Sequence, residues 1–140
     1  MTVQEIVAAN RYMVLATADA AGRPWSTPVW FATEDHRRFY WVSKPGARHS
    51  RNIAERPEIA IAIFDSTVTP GEAQALYMAA TAEQADPEEI GVFARVSAQQ
   101  GLSVWTAADV SESARHRLYR ATATEHYLLS PSDERIPQAV

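Results

Sequence analysis

The chain has 140 residues, 46% of them hydrophobic and 21% charged, with a formal net charge of −4 and no cysteine. That length fits one domain with a buried core and leaves no room for two. The acidic balance excludes general binding to nucleic acid, which needs many cations against phosphates. The lack of cysteine excludes disulfides, thiolate metal sites and cysteine nucleophiles, and suits a reducing cytoplasm.

The opening MTVQEIVAAN has neither the basic nor the apolar stretch of a signal peptide. No apolar run is long enough to cross a bilayer, so a cytoplasmic protein without membrane contact is expected. Thr2 to Arg11 reads as a short helix, with Thr2 as cap, Glu5 placed for a capping box, and Val3, Ile6 and Val7 as its apolar stripe. Tyr12–Ala18 (YMVLATA) is a strand by residue type. Asp19 to Arg23 supplies a turn, with Gly22 free to take positive φ, and Pro24–Thr33 returns as a second strand. Pro28 cannot donate to a ladder, so this strand belongs at an edge or a bulge where backbone groups stay free for a ligand.

A second turn at Glu34–Arg37 leads to a third strand, Arg38–Ser43, completing an expected three-strand meander. Lys44-Pro45-Gly46 breaks the pattern, and Ala47–Arg56 reads as a helix stopped by Pro57. Glu58–Asp65 sets Ile59, Ile61 and Ile63 against Ala60, Ala62 and Phe64, a strand that is apolar on both faces. A strand from Ala73 to Gln84 follows. Asp86 and Pro87 then open a helix to about Gln99, a loop carries Trp105, and Ala107–Ser113 makes one more helical turn. Leu118–Leu129 is the last expected strand, and 131–140, with two prolines, reads as a loose tail. Six strands, early hairpins and no βαβ alternation predict a mainly β single domain: an antiparallel, nearly closed barrel with short helices.

Catalytic signatures are mostly missing. The four histidines lack metal-ligand spacing, and with five glycines there is no phosphate-cradling glycine loop and no nucleophile elbow. Sequence alone pairs no two carboxylates for acid–base work, so no catalytic side chain is assigned. The informative stretch is Pro24 to Asn52. It holds Trp25, Trp30 and Trp41 together with a basic cluster of Lys44, Arg48, His49 and Arg51, Lys44 being the one lysine in the chain. Aromatics, hydroxyls and cations suit a planar ring bearing a phosphate: the ring takes apolar walls, and the phosphate takes guanidinium and donors where a helix starts. Structural filling by the tryptophans and solvation of the arginines fit the same spacing, and both alternatives stand at this point.

The run from Leu15 to Asp65 resembles the pyridoxamine 5'-phosphate oxidase-like, FMN-binding split-barrel family. The resemblance lies in a Leu-Ala-Thr strand, a Gly-Arg-Pro turn, a Thr-Pro-Val-Trp strand, a Phe-Tyr-x-x-Ser strand, a basic pair and an Asn in a helix, and Pro-x-Ile at the fourth strand. It implies a six-stranded split barrel that forms a homodimer with cofactor sites at the subunit interface, and an FMN-dependent oxidoreductase moving hydride to or from a small molecule. By position, Trp25, Ser26, Thr27 and Pro28 would run past the flavin ring and ribityl chain. Val42 and Ser43 would lie near ribityl and phosphate, Arg48 and His49 would match the family's basic pair at the phosphate, and Lys44 would assist. Asn52 would fix the loop, and Trp105 would match an aromatic that some members place over the ring from the partner subunit. The sequence departs from the family at His49, where Lys or Arg is usual, and at the bulky Trp25. It departs again in SDERIPQAV, which lacks the segment the vitamin B6 oxidases use for substrate. Pyridoxamine phosphate is therefore not the expected substrate. A deazaflavin on the same fold, or a non-catalytic flavin or haem binder, is the alternative.

Overall fold

A computed structural model describes residues 1–140. In chain order it contains α1 (Val3–Ala9), β1 (Tyr12–Ala18), β2 (Pro24–Trp30), β3 (Arg38–Ser43), α2 (Arg48–Glu55), β4 (Glu58–Phe64) and β5 (Ala75–Gln84). A 3₁₀ turn (Pro87–Ile90) then leads into α3 (Gly91–Gln99), a second 3₁₀ turn (Ala107–Val110), β6 (Arg117–Leu129) and β7 (Arg135–Gln138). All ladders are antiparallel, in the order β2-β1-β4-β5-β6-β3, with β7 also pairing β6. The sheet curls on itself without closing, which is the expected split barrel.

Alternation along the strands fills the barrel. Met13 and Leu15, Phe39 and Trp41, Ile59, Ile61 and Ile63, and Leu76 and Met78 all point into one cluster. On β4 the isoleucines are buried while Ala60 and Phe64 on the other face are exposed. The helices plug the barrel. Val3, Ile6 and Val7 of α1 enter the core, as does Ile53 of α2. Burying Ile6, 2% exposed, contributes about 1.5–3 kcal/mol. The capping box at Thr2 and Glu5 forms as expected. A smaller cluster on the outer face joins Tyr40 and Leu118 to Ile90, Phe93 and Val110.

Two expectations are corrected. The meander stops after β2, because β3 leaves it and pairs with β6 along Arg38–Ser43 and Arg117–Thr122. Only Ala32 and Tyr40 still bridge the second and third strands. The six expected strands all form, and β7, paired to β6, adds a seventh. Ser130 onward is not a loose tail: the Ser130 N–H donates to Glu134 O, Asp133 takes φ +63°, and the chain turns back as β7. Ser130 to Glu134 is a polar turn, and Pro137 sits opposite Tyr127 on an edge strand, where a missing N–H is tolerated. In β6 the pairing jumps from Glu125 to Ala123 against Ala79 and Ala80, leaving Thr124 as a bulge.

Candidate functional site

The split starts at one residue pair. Ala32 and Tyr40 exchange both backbone hydrogen bonds, at 2.9 and 2.8 Å, and beyond them β2 and β3 diverge. In an antiparallel ladder, alternate residues turn their N–H and C=O toward or away from the partner strand. Asp19 N–H donates to Arg23 O and Phe31 N–H to Arg11 O, so the odd residues of β2 bond to β1. Pro24, Ser26, Pro28 and Trp30 therefore turn their backbone groups into the split. Both prolines lie where no ladder bond is lost, and Ser26 and Trp30 present free N–H donors. Across the gap, Ala123 N–H donates to Arg37 O, and the same alternation aims the backbone of Val42 at β2.

A crevice of about 540 Å³ fills this wedge, a size usual for a small-molecule site. Its walls include Pro28, Val29, Trp30, Val42, Phe93, Leu102 and Trp105, and its polar groups are Ser43, His49, Ser97, Ser103 and His116. Trp30 is held by its indole N–H donating to Gln100 Oε1 at 3.0 Å and by an edge-on contact with Phe93, on which Trp105 also packs edge-on. At the floor, Ser43 Oγ and His49 Nε2 lie 2.8 Å apart. Burial pulls the His49 imidazole below its usual pKa, so it is neutral at pH 7.

His49 belongs to the first turn of α2, which is electrostatically unbalanced. The helix has no side-chain cap and no acidic residue in its first turn, and its opening residues include Arg48, His49 and Arg51. The N–H groups of Arg48, His49 and Ser50 find no partner within the protein. Cations at the positive end of a helix dipole are unfavourable, and an anion bound there relieves both defects. Asn52 anchors the helix through Nδ2 donating to Thr17 Oγ1 of β1 at 3.0 Å, a buried bond.

Of the residues expected from sequence, Pro28, Val42, Ser43, His49 and Trp105 line the crevice. Arg48 does not join them. Its guanidinium lies 4.2 Å from the centroid of Trp25, and it lines a neighbouring hollow of about 310 Å³ with Arg23, Arg51, Asn52, Asp19 and Glu55. Arg48 and Ser43 therefore line adjoining spaces rather than one cavity. Successive helix residues are rotated by about 100°, so Arg48 and His49 face different spaces, while Arg48, Arg51, Asn52 and Glu55 share a face at i, i+3, i+4, i+7 spacing. Lys44 is exposed on the connection into α2, Ser26 is exposed, and Thr27 is half-buried on β2. Trp30, Phe93, Ser97, Leu102, Ser103 and His116 were not singled out as site residues. Trp30 was legible from its alternation with Pro28, and Phe93 and Ser97 from their i, i+4 spacing. His116 carried no local signal.

Fold and crevice together define a cofactor-sized cleft at the mouth of a split β-barrel. A family model for pyridoxamine 5'-phosphate oxidase matches residues 2–130, and the chain belongs to that family. No curated protein matches it in sequence. Among solved structures, it is similar to a haem-binding protein from Mycobacterium smegmatis (TM-score 0.76, 19% identity), covering 98% of this chain but 56% of that one. It is also similar to HutZ, the haem storage protein of Vibrio cholerae (TM-score 0.70, 20% identity, 90% and 89% covered), and to an F420 reductase (0.59, 19%, 82% and 87%). At these identities the likeness is one of fold. No helix is long and apolar enough to cross a membrane.

Proposed function

We propose that the chain holds FMN with its ring in the crevice and its phosphate at the start of α2, and acts as an oxidoreductase on a small molecule. The observation that carries this is the uncapped, cation-loaded N-terminus of α2 opening beside an aromatic-walled crevice with free strand-edge donors. The donor set fits the group. Ser43, His49 and the unpartnered N–H groups of the first helical turn suit a phosphate, and Arg48 reaches it by leaving Trp25. Ser26, Trp30 and Val42 offer backbone groups to the edge of a ring, and Trp30 and Trp105 give it apolar walls. When bound, the flavin supplies the hydride acceptor or donor, while the protein orients it and excludes water.

The site is proposed to be completed by a second copy of the chain. The free edge of β2 continues into an outer face built from Val14, Ala16, Ala60, Ala62 and Ala79, which pair side by side across β1, β4 and β5 and lie outside the core cluster. Such an apolar face and open edge suit isologous packing.

Family membership favours a flavin, and the similar folds named for haem and F420 set the competing ligands. The test is the visible spectrum of the purified protein, identification of any released chromophore, and titration of stripped protein with FMN, a deazaflavin and hemin. Yellow protein that yields FMN and is reduced by a nicotinamide supports the assignment. Uptake of deazaflavin or hemin in preference to FMN overturns it.

A further inference from the structure

Resting on the FMN assignment, we infer that His49, paired with Ser43, makes phosphate binding proton-coupled, so that the site takes up a phosphate monoester dianion together with one proton and releases both as the pH rises. The geometry supplies the parts. Ser43 Oγ and His49 Nε2 meet at 2.8 Å on the floor of the crevice, and His49 stands at the unsatisfied start of α2. In the neutral ring's Nδ1-protonated tautomer, Nε2 accepts the hydrogen bond of the Ser43 hydroxyl. No carboxylate lines the crevice, so nothing there holds a proton on the ring until a ligand brings negative charge.

The charged neighbours leave this task to His49. Lys44 precedes the helix and is exposed. Each of the arginines in the adjoining hollow has a resting partner: Arg48 lies on Trp25, Arg51 donates to Gly46 O, and Arg23 pairs with Asp19. Glu55 shares that hollow and not the crevice. Arg117, opposite Ser43 on β6, gives its guanidinium to the carbonyls of Ala114, His116 and Glu112, and His116 is the other imidazole on the crevice wall. A dianion arriving within contact distance of His49 favours its charged form. A protonated ring then gives the phosphate a charge and a donor at Nε2, freeing the Ser43 hydroxyl to donate as well.

The sign follows from linkage. Burial sets the His49 pKa low in the free protein, and the bound anion raises it. Between those two values each binding event takes up as much as one proton, and Kd climbs by up to about tenfold per pH unit. A phosphate monoester loses its second proton near pH 6, so above pH 7 the ligand is already a dianion and contributes no slope of its own. Riboflavin, which has the ring and no phosphate, binds without this slope.

The experiment measures Kd for FMN and riboflavin by flavin fluorescence from pH 7 to 8.5, in buffers free of phosphate, for wild type, His49→Gln, His49→Arg and His116→Gln. For wild type and His116→Gln, FMN weakens by several-fold to about tenfold per pH unit. His49→Gln binds FMN weakly at all pH values, and His49→Arg binds it with a flat profile. Calorimetry in two buffers of different ionisation enthalpy reads proton uptake directly in the wild type. A flat wild-type FMN profile, or a slope that survives in His49→Gln, overturns the inference and leaves the cofactor assignment standing. FMN failing to bind at any pH overturns that assignment, and the inference with it.

Discussion

The buried hydrogen bond from Asn52 to Thr17 sets where α2 sits on the barrel, and a double-mutant cycle measures its worth. Asn52 is 5% exposed and Thr17 4%, so neither replaces its partner with water. Asn52→Leu leaves the Thr17 hydroxyl with only a long 3.5 Å contact to Trp25 O. Stranding a buried polar group costs about 1–3 kcal/mol, and Thr17→Val strands the Asn52 amide for a similar cost. Replacing both by apolar groups removes the stranded atoms, so the double variant is expected within about 1 kcal/mol of wild type. The single costs sum to roughly 2–6 kcal/mol, so the coupling is at least about 1 kcal/mol of relief relative to that sum. Urea unfolding gives the free energies, and thermal melts follow at about 3–5 °C per kcal/mol for a chain of this size. Additive single effects would refute the claim that this one bond ties α2 to β1.

The remaining predictions concern binding, assembly and pH. Arg48→Ala should weaken FMN by about 0.5–2.5 kcal/mol, a charge-assisted contact of roughly 1.5–3 less the ~0.5–1 that Arg48 gives up on leaving Trp25. Fluorescence titration checks this, and an unchanged Kd in a folded variant removes Arg48 from the site. Ala60→Arg, on the exposed face of β4, should convert a dimer to a monomer in light scattering while shifting stability by under about 0.5 kcal/mol. A variant that stays dimeric shows the interface lies elsewhere. Burial pushes the Asp35 carboxyl up, but the N–H groups of Arg38 and Arg37 and the Arg38 guanidinium outweigh it and hold it at about 2. A depressed carboxyl stabilises above its unfolded value and loses that contribution as pH falls toward 2. Asp35→Asn should therefore cost at most about 1 kcal/mol at pH 7, after screening of a partly exposed pair. The gap to wild type should close below pH 2 in urea melts.

The barrel was legible because each strand states its inner face: the isoleucines of β4 and the Phe39–Trp41 alternation of β3 need no partner to be read. Pairing was less legible. Adjacent strands joined by short turns usually pair, and nothing local in Arg38–Ser43 says that it prefers Arg117–Thr122, nearly eighty residues away in sequence, to its neighbour. Pro24 and Pro28 hinted at it by marking one edge of β2 as unable to accept a full ladder. The crevice was half legible for the same reason. Its β2 and β3 walls were read from residue type, whereas the wall from α3 and the following loop depends on which face of Trp30 those segments cover. Arg48 and His49 were read as a pair because they are adjacent in sequence, although adjacency on a helix turns side chains apart.

The extra residue in β6 makes the strand sensitive to length at a position where composition matters little. Before Thr124, Tyr119, Ala121 and Ala123 point inward; after it, His126 and Leu128 do, a change from odd to even numbering that one unpaired residue absorbs. Substitutions at Thr124, which is exposed, are tolerable by this logic, because its loss removes only a hydroxyl bond to Ala79 O. Deleting it turns His126 off the carbonyl of His36 and Leu128 out of the barrel, and carries β7 and Val140 with them. Drift in this family member can thus rewrite the letter at Thr124, while a single-codon gap there unseats the whole C-terminal edge.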